Sequence, residues 1–153
     1  MKKLIIAITA VLLITSTTAW AGKGKGRKAH KPRPDPVQTT FQSEFKGAEA
    51  VKWTDETDYT SASFVLNNSH VIAYFDYSGE LLGTARNILF DQLPLSVSTV
   101  VNQRYPTAII YDVIEFTNSS GTFYKMLAET ATHNYKLNVL SDGELSVESK
   151  TKK

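Results

Sequence analysis

Two segments of the chain have the same pattern of a strand, a turn that contains glycine, and a second strand. They cover residues 74–81 (YFDYSGEL) and 137–145 (LNVLSDGEL), with turn glycines at Gly79 and Gly143. A helical pattern and then further strand patterns precede each of them, in the same order. The sequence therefore predicts an α+β fold made of a tandem repeat, about 39–90 and 94–149. Each repeat is expected to be a helix followed by a four-stranded antiparallel meander.

Each predicted repeat begins with a short amphipathic helix. The first is expected to start at Thr39 or Thr40, which are acceptable N-caps, and it places Phe41 and Phe45 on one face. The second follows Pro94. The strand segments alternate apolar and polar residues, and their connections are too short for parallel crossovers. We expect both helices to pack on one face of the antiparallel sheet.

Alignment of the third strands of the two repeats indicates which side chains point away from the helices. Ile72 then corresponds to Lys136, and a lysine marks the solvent side of a strand. Apolar side chains that lie together on a protein surface often mark the binding site of a partner. We therefore predict a binding surface on the open sheet face, formed by Trp53, Val65, Ile72, Tyr74, Lys125 and Lys136. The alternative is that these aromatic residues fill a second side of the core or support cross-strand pairing.

The first 21 residues have the pattern of a signal peptide. Two lysines follow Met1, an apolar run covers 4–14, and Ala19-Trp20-Ala21 is typical of a cleavage site. The apolar run is shorter than the roughly 20 residues that span a bilayer. We expect cleavage after Ala21, export to the periplasm or beyond, and no transmembrane segment in the mature chain. Because the chain contains no cysteine, it is not expected to be a lipoprotein or to form disulfides.

Residues 22–37 are rich in glycine, proline and basic side chains and contain almost nothing apolar. Such a composition cannot offset the entropy lost on ordering, so a disordered tail is predicted ahead of a folded domain at 38–153. Two roles remain open: an electrostatic tether to anionic glycan or lipid of the envelope, or a solvated leader. Nucleic acid is not an expected partner of an exported protein. The basic residues of the tail are Lys23, Lys25, Arg27, Lys28, Lys31 and Arg33.

The inventory of reactive side chains argues against an enzyme. The three histidines, His30, His70 and His133, do not have the spacing of metal ligands. The acidic segment 55–58 lacks the alternating pattern of a calcium loop. No metal, cofactor or catalytic residue is predicted. A hydrolase that uses His70 or His133 with a nearby serine is the alternative.

Five short motifs resemble the secreted PepSY-like, β-lactamase-inhibitor-protein-like (BLIP-like) domains of Gram-negative bacteria, notably the Bacteroidetes. The resemblance covers about 39–153 and implies a helical layer on an antiparallel sheet built from a tandem repeat. The inhibitor that gives the family its name binds its enzyme through the open sheet face with aromatic residues. The motifs are Phe45-Lys-Gly-Ala48, Val51-Lys-Trp53, Ala73-Tyr-Phe-Asp-Tyr-Ser-Gly79, Thr84-Ala-Arg86 and Leu93-Pro94.

Together these features predict an exported, non-enzymatic domain that binds a periplasmic or secreted protein through an open sheet face. An inhibitor-like role is what the resemblance implies. The alternative functions are the envelope tether and the hydrolase.

Overall fold

Eight antiparallel strands form a single sheet in the computed structural model, which describes residues 35–153. The strands follow one another across the sheet in chain order, from β1 at one edge to β8 at the other. Their bounds are β1 Glu49–Asp55, β2 Thr60–Leu66, β3 Ser69–Phe75, β4 Leu81–Asn87, β5 Ile109–Asn118, β6 Gly121–Glu129, β7 His133–Leu140 and β8 Leu145–Lys152. Helix α1 (Asp35–Glu44) precedes β1, and a 3-10 turn (Phe90–Gln92) and helix α2 (Leu95–Arg104) connect β4 to β5. The prediction of an antiparallel sheet with two helices is confirmed.

Helix α1 begins at Asp35, ahead of the start that the N-cap pattern predicts. Pro36 lies in its first turn, where proline is well tolerated because the first amide groups of a helix have no partner within the helix. Val37 is fully buried (0 % exposed) and packs into the apolar cluster under the helix. The prediction of a disordered tail over 22–37 is therefore wrong for residues 35–37, because Pro36 is compatible with the first turn of a helix. Residues 22–34 lie outside the described part of the chain.

Helix α1 covers the first four strands with a cluster of aromatic side chains. The ring centroid of Phe41 lies 5.1 Å from those of Trp53 and Phe64, both in tilted edge contacts. Phe64 and Phe75 beneath it are fully buried. Burial of each of these two rings contributes about 2 kcal/mol, and edge-to-face aromatic pairs add to that. The aromatic cluster holds α1 on the sheet.

Helix α2 covers the last four strands with a second cluster. Val97 and Val101 are fully buried and pack against a set of buried side chains from β5, β6 and β7. That set consists of Val113, Tyr124, Met126, Ala128, Leu137 and Val139. The two helices therefore cover different halves of one sheet.

Both clusters lie on the same face of the sheet, which we call the helix face. Directly paired residues of neighbouring antiparallel strands share a face. Val71, at the edge of the first cluster, pairs with Arg86, and Arg86 pairs with Glu115. Glu115 in turn pairs with Tyr124 of the second cluster. The Arg86 guanidinium donates a hydrogen bond to Glu115 (Nε–Oε1 2.6 Å), so a polar seam separates the two clusters.

Gly79 and Gly143 occupy corresponding turns, each against the start of a helix. Both have a φ of +95°, a conformation that side chains disfavour. A Cβ on Gly79 would lie 2.8 Å from the backbone of Pro36 in α1. A Cβ on Gly143 would lie 3.2 Å from the carbonyl oxygen of Ser96 in α2. Glycine is required at both turns for the backbone conformation and for the close approach of the helix.

Alanine substitutions of the turn glycines should separate these two effects. Gly47 has a positive φ (+84°), but no atom lies within 4 Å of the Cβ that alanine would add. Gly47→Ala should therefore lower the unfolding free energy by about 1–2 kcal/mol, through backbone strain alone. Gly79→Ala adds a clash with backbone and should cost about 3 kcal/mol or more. Gly143→Ala should fall between them. Urea denaturation measures all three, and equal losses for Gly47→Ala and Gly79→Ala would contradict the packing of this turn on α1.

Candidate binding face

The second face of the sheet, here the open face, is covered by no helix or strand from residues 35–153. Its main feature is an apolar row of side chains that lie in register across strands β3 to β7. Each member pairs directly with the next, so all of them point to the same side. The apolar row consists of Ile72, Ala85, Phe116, Phe123 and Leu140.

Two phenylalanine rings stand at the centre of the apolar row. Phe116 and Phe123 are stacked with their centroids 5.1 Å apart and their planes at 5°. This distance is close to the spacing of neighbouring strands, so the rings turn their faces to each other and their edges away from the sheet. Both rings are partly exposed, and 39 % of Leu140 at the end of the row is exposed. Apart from Ala85, which is buried, the row is therefore an apolar surface that the described residues leave accessible.

Sequence reasoning missed both phenylalanines. Lys125 is predicted to lie on the open face, and Phe123 is two residues away on the same strand. Because side chains two apart in a strand share a face, the predicted position of Lys125 also places Phe123 on the open face. Phe116 was harder to place because β5 has an irregular register between Tyr111 and Ile114, where Asp112 has a φ of +51°. A bulge of this kind reverses the alternation of faces along a strand.

Five of the six residues predicted for the binding surface lie on the open face. Ile72 belongs to the apolar row, and the others lie in neighbouring rows of the same face. These four are Val65, Tyr74, Lys125 and Lys136.

Trp53 lies on the other face, so its predicted place on the open face is wrong. It pairs with buried Ala62 and packs against Phe41 and Phe75 in the cluster under α1. The physical reason is a register shift in β1 between Glu49 and Lys52, which reverses the alternation of faces before the tryptophan. Trp53 therefore belongs to the cluster that holds α1 on the sheet and not to the open face.

Tyr74 is on the open face but is buried, with 8 % of its surface exposed. It pairs with Ser61 on one side and with Gly83 on the other, and its ring centroid lies 5.9 Å from that of Tyr59. Burial raises the pKa of the Tyr74 phenol, and Tyr59 adds to this effect. Tyr74 supports the sheet surface and offers a partner little contact area.

Positive charge flanks the apolar row at two points. Lys52 on β1 pairs with Ser63, which pairs with Ile72, so this lysine extends the row to the sheet edge. Lys125 on β6 forms an ion pair with Glu148 of β8 (Nζ–Oε1 2.6 Å), and its Nζ lies 6.0 Å from the centre of the Phe116 ring. Lys136 is exposed farther along β7. Among residues 35–153, neither Lys52 nor Lys136 has a carboxylate partner.

The histidines considered for catalysis lie apart. The Nε2 atom of His70 is hydrogen-bonded to Ser63 Oγ (2.8 Å) on the open face, but in the described part of the chain no carboxylate orients its other ring nitrogen. His133 is hydrogen-bonded through Nδ1 to Thr132 Oγ1 (2.8 Å), and His30 lies outside the described residues. Within residues 35–153, no group of histidine and acidic side chains is placed to hold a metal ion. In a Ser-His-Asp triad the histidine is the base that activates the serine, and a third group orients the histidine; no such group accompanies His70 in the described residues.

The raised pKa of Tyr74 predicts a specific alkaline sensitivity. In the unfolded chain the phenol ionises near its ordinary pKa of about 10, whereas in the folded protein it ionises at higher pH. Its contribution to stability is therefore fully present below pH 10 and is lost as the pH rises through the folded pKa. Tyr74→Phe should make the unfolding free energy less dependent on pH above about 10. Urea denaturation across this range tests it, and an unchanged slope would contradict the burial of the phenol.

The fold is similar to those of several solved Bacteroides proteins. A BLIP-like protein from Bacteroides fragilis is 20 % identical, with a TM-score of 0.68 over 80 % of this chain and 88 % of that protein. A DUF2874 family protein from Bacteroides ovatus is 18 % identical, with a TM-score of 0.68 over 80 % and 89 %. A protein from Bacteroides eggerthii that is provisionally assigned to the periplasm is 17 % identical, with a TM-score of 0.67 over 78 % and 88 %.

No protein-family model and no curated protein matches the sequence. Neither described helix is long and apolar enough to cross a membrane. At identities of this size the similarity concerns the fold alone. It confirms the prediction of a BLIP-like fold with an antiparallel sheet and two helices.

Proposed function

We propose that the protein is an exported, non-enzymatic domain that binds another protein through its open face. The observation that carries this proposal is the apolar row with the stacked Phe116 and Phe123 at its centre. The helix face already supplies the core that the fold needs. Apolar side chains that remain accessible on the opposite face add little to stability, and they are typical of a surface that a partner covers.

The dimensions of the row favour a protein as the partner. From β3 to β7 it crosses four strand spacings, or about 19 Å at roughly 4.8 Å per strand. That length exceeds a small ligand and suits a segment at the centre of a protein interface. The flanking lysines Lys52 and Lys125 supply polar groups at its border, which is the usual arrangement around an apolar interface core.

Export and an inhibitor-like role rest on the sequence. The signal-peptide pattern at 1–21 and its cleavage after Ala21 lie outside the described residues. The provisional periplasmic assignment of the Bacteroides eggerthii protein supports the same compartment. The resemblance to PepSY-like and BLIP-like domains supports recognition of a secreted or periplasmic protein in an inhibitor-like role, with the open face as the contact.

We also propose that the fold arose by duplication of one helix-and-meander unit, about 39–90 and 94–149. The order of elements supports this, since α1 precedes β1–β4 and α2 precedes β5–β8. The paired turn glycines share a φ of +95°, and both first strands, β1 and β5, have a register shift at a residue with positive φ. These residues are Ala50 and Asp112.

The two alternative functions have less support. A tether that binds anionic glycan or lipid depends on the basic residues of segment 22–34, which lies outside the described residues. A hydrolase would depend on the exposed Ser63–His70 pair, which has no orienting carboxylate within residues 35–153. Neither has an observation comparable to the apolar row.

Site-specific photo-crosslinking tests the proposed function. A photoreactive phenylalanine analogue is placed at Leu140 or Lys136 on the open face, and at Lys150 on the helix face as the matched control. All three side chains are exposed, so each variant should fold. In cells of the organism that encodes the protein, we expect a discrete crosslinked product from the open-face positions and none from Lys150.

The variant Phe123→Ala should reduce the Leu140 crosslink by about fivefold or more, because it removes half of the ring pair at the centre of the row. Circular dichroism checks that the variant stays folded. Equal crosslinking from both faces, or no product from the open face, would refute binding through the apolar row.

A further inference from the structure

The two ends of the apolar row carry opposite charges. Lys52 on β1 continues the row through Ser63, which pairs with Ile72. At the other end, the backbone N–H of Leu140 donates a hydrogen bond to the carbonyl oxygen of Glu144 (2.9 Å), so Glu144 continues the row in line with β8. Both charged side chains are exposed, and neither forms an ion pair within residues 35–153. The extended row therefore runs from a lysine to a glutamate.

The side chains between these ends differ in size. Strands β2–β4 contribute the smaller ones, and strands β5–β7 contribute the larger ones. The change falls between β4 and β5, at the middle of the eight-stranded sheet. The row is therefore complementary, in both charge and size, to a copy of itself that runs in the opposite direction. In order along the row, these side chains are Ser63, Ile72, Ala85, Phe116, Phe123 and Leu140.

A face-to-face dimer produces this reversal when its two-fold axis is parallel to the strands and lies between β4 and β5. A two-fold interface uses the same patch of both copies. Lys52 then lies opposite Glu144 of the second copy, and this contact occurs twice. Both sheets have the same hand of twist, so the facing surfaces stay about parallel at the usual sheet spacing of about 10 Å.

The same axis brings large side chains of one copy against smaller side chains of the other. Facing side chains of packed sheets interdigitate in this way and fill the space between the sheets. The opposed pairs are Phe116 with Ala85, Phe123 with Ile72, and Leu140 with Ser63.

The neighbouring row of the open face is compatible with this arrangement. It carries charges of both signs, with Glu49 on β1 and Lys125 on β6. Glu49 faces Ser146 of the second copy, and Lys125 faces His70 while it stays paired with Glu148 of its own chain. In these two rows of the described strands, no carboxylate faces a carboxylate and no lysine faces a lysine.

A two-fold axis along the row does not give this complementarity. It places each strand against the same strand of the second copy, so Lys52 meets Lys52 and Glu144 meets Glu144. Like charges placed against each other cost free energy. The charges at the ends of the row therefore favour the axis that is parallel to the strands.

The open face is large enough for a stable dimer. Eight strands at about 4.8 Å per spacing make it about 34 Å wide, and strands of seven or more residues make it about 23 Å long. The product, about 800 Å², is close to the surface that each partner contributes to an interface of standard size.

We propose that a second copy of this chain covers the open face when the partner is absent, through a two-fold axis parallel to the strands between β4 and β5. The inference rests on the proposed function in one respect, since it takes the apolar row as a contact surface. The dimer and the partner complex use the same face. Binding of the partner therefore requires the dimer to dissociate.

Charge reversal at the ends of the row tests the dimer. Sedimentation velocity of the purified protein over a wide range of concentration should show a monomer–dimer equilibrium. Lys52→Glu and Glu144→Lys should each raise the dissociation constant about fivefold or more, because like charges then meet at two symmetric positions. The double variant should return to within about twofold of the original value, since opposite charges face each other again.

Two control variants make the same charge changes outside the open face. They are Lys46→Glu, just after α1, and Glu44→Lys, at the end of α1, and both side chains are exposed. Neither should change the dissociation constant. Circular dichroism checks that every variant stays folded.

Engineered cysteines test the orientation of the two copies. The chain contains no cysteine, so Ser63→Cys and Leu140→Cys each introduce a single thiol. In the proposed dimer Ser63 faces Leu140 of the second copy across about 10 Å, whereas the two Ser63 residues, like the two Leu140 residues, lie about 24 Å apart along the face. A bismaleimide that matches the sheet spacing should link a mixture of the two variants about tenfold more than either variant alone.

Three results would overturn the inference. These are a monomer at every concentration, a double charge reversal that dimerises no better than the single variants, or linkage of either cysteine variant alone as efficient as that of the mixture. If the protein is a monomer and photo-crosslinking through Leu140 joins it to a different protein, the proposed function stands and the dimer is wrong.

The opposite result separates the two proposals as clearly. If photo-crosslinking gives only a product of twice the chain mass, and the cysteine mixture is linked as expected, the dimer stands and recognition of a different protein is wrong. If the protein is a monomer and the open face gives no photo-crosslinked product, both are wrong.

Discussion

The rest of the structure depends on the packing of two helices against the same face of one eight-stranded sheet. Phe41 of α1 and Val101 of α2 each close a cluster of buried side chains, and both clusters lie on the helix face. A sheet needs one apolar face to be stable, and this packing satisfies that need completely on one side. The opposite face is then free to carry side chains that the core does not need.

The open face uses that freedom in a particular way. Its apolar row runs across the strands and joins side chains that are far apart in sequence, such as Ile72 and Leu140. Rigid strands hold the row, so little entropy is lost when a partner covers it. The proposed function would make use of this rigidity. In the described residues, the Ser63–His70 contact on this face has no carboxylate beside it.

Much of the fold could be predicted from local patterns. The turn glycines, the antiparallel order and the outward direction of Ile72 and Lys136 follow from periodicity and turn chemistry, which act within a few residues. The prediction for Trp53 failed because a register shift in β1 reverses the faces, and the sequence contains no clear sign of it. The start of α1 was not predicted because proline is common both in the first turn of a helix and in disordered segments. Composition alone does not distinguish the two cases. The exposure of Tyr74 could not be predicted, since it depends on the side chains of neighbouring strands.

Local sequence patterns are enough to define the class of the fold, the two turns that require glycine and the alternation of faces along each regular strand. These properties depend on backbone sterics and on the period of the side chains, both of which are local. Which residues form the proposed binding face depends on the tertiary structure. Phe116 and Phe123 became neighbours through strand pairing, and bulges in β1 and β5 decided which side chains share their face. Such pairings bring together residues from different strands, and no local pattern records them.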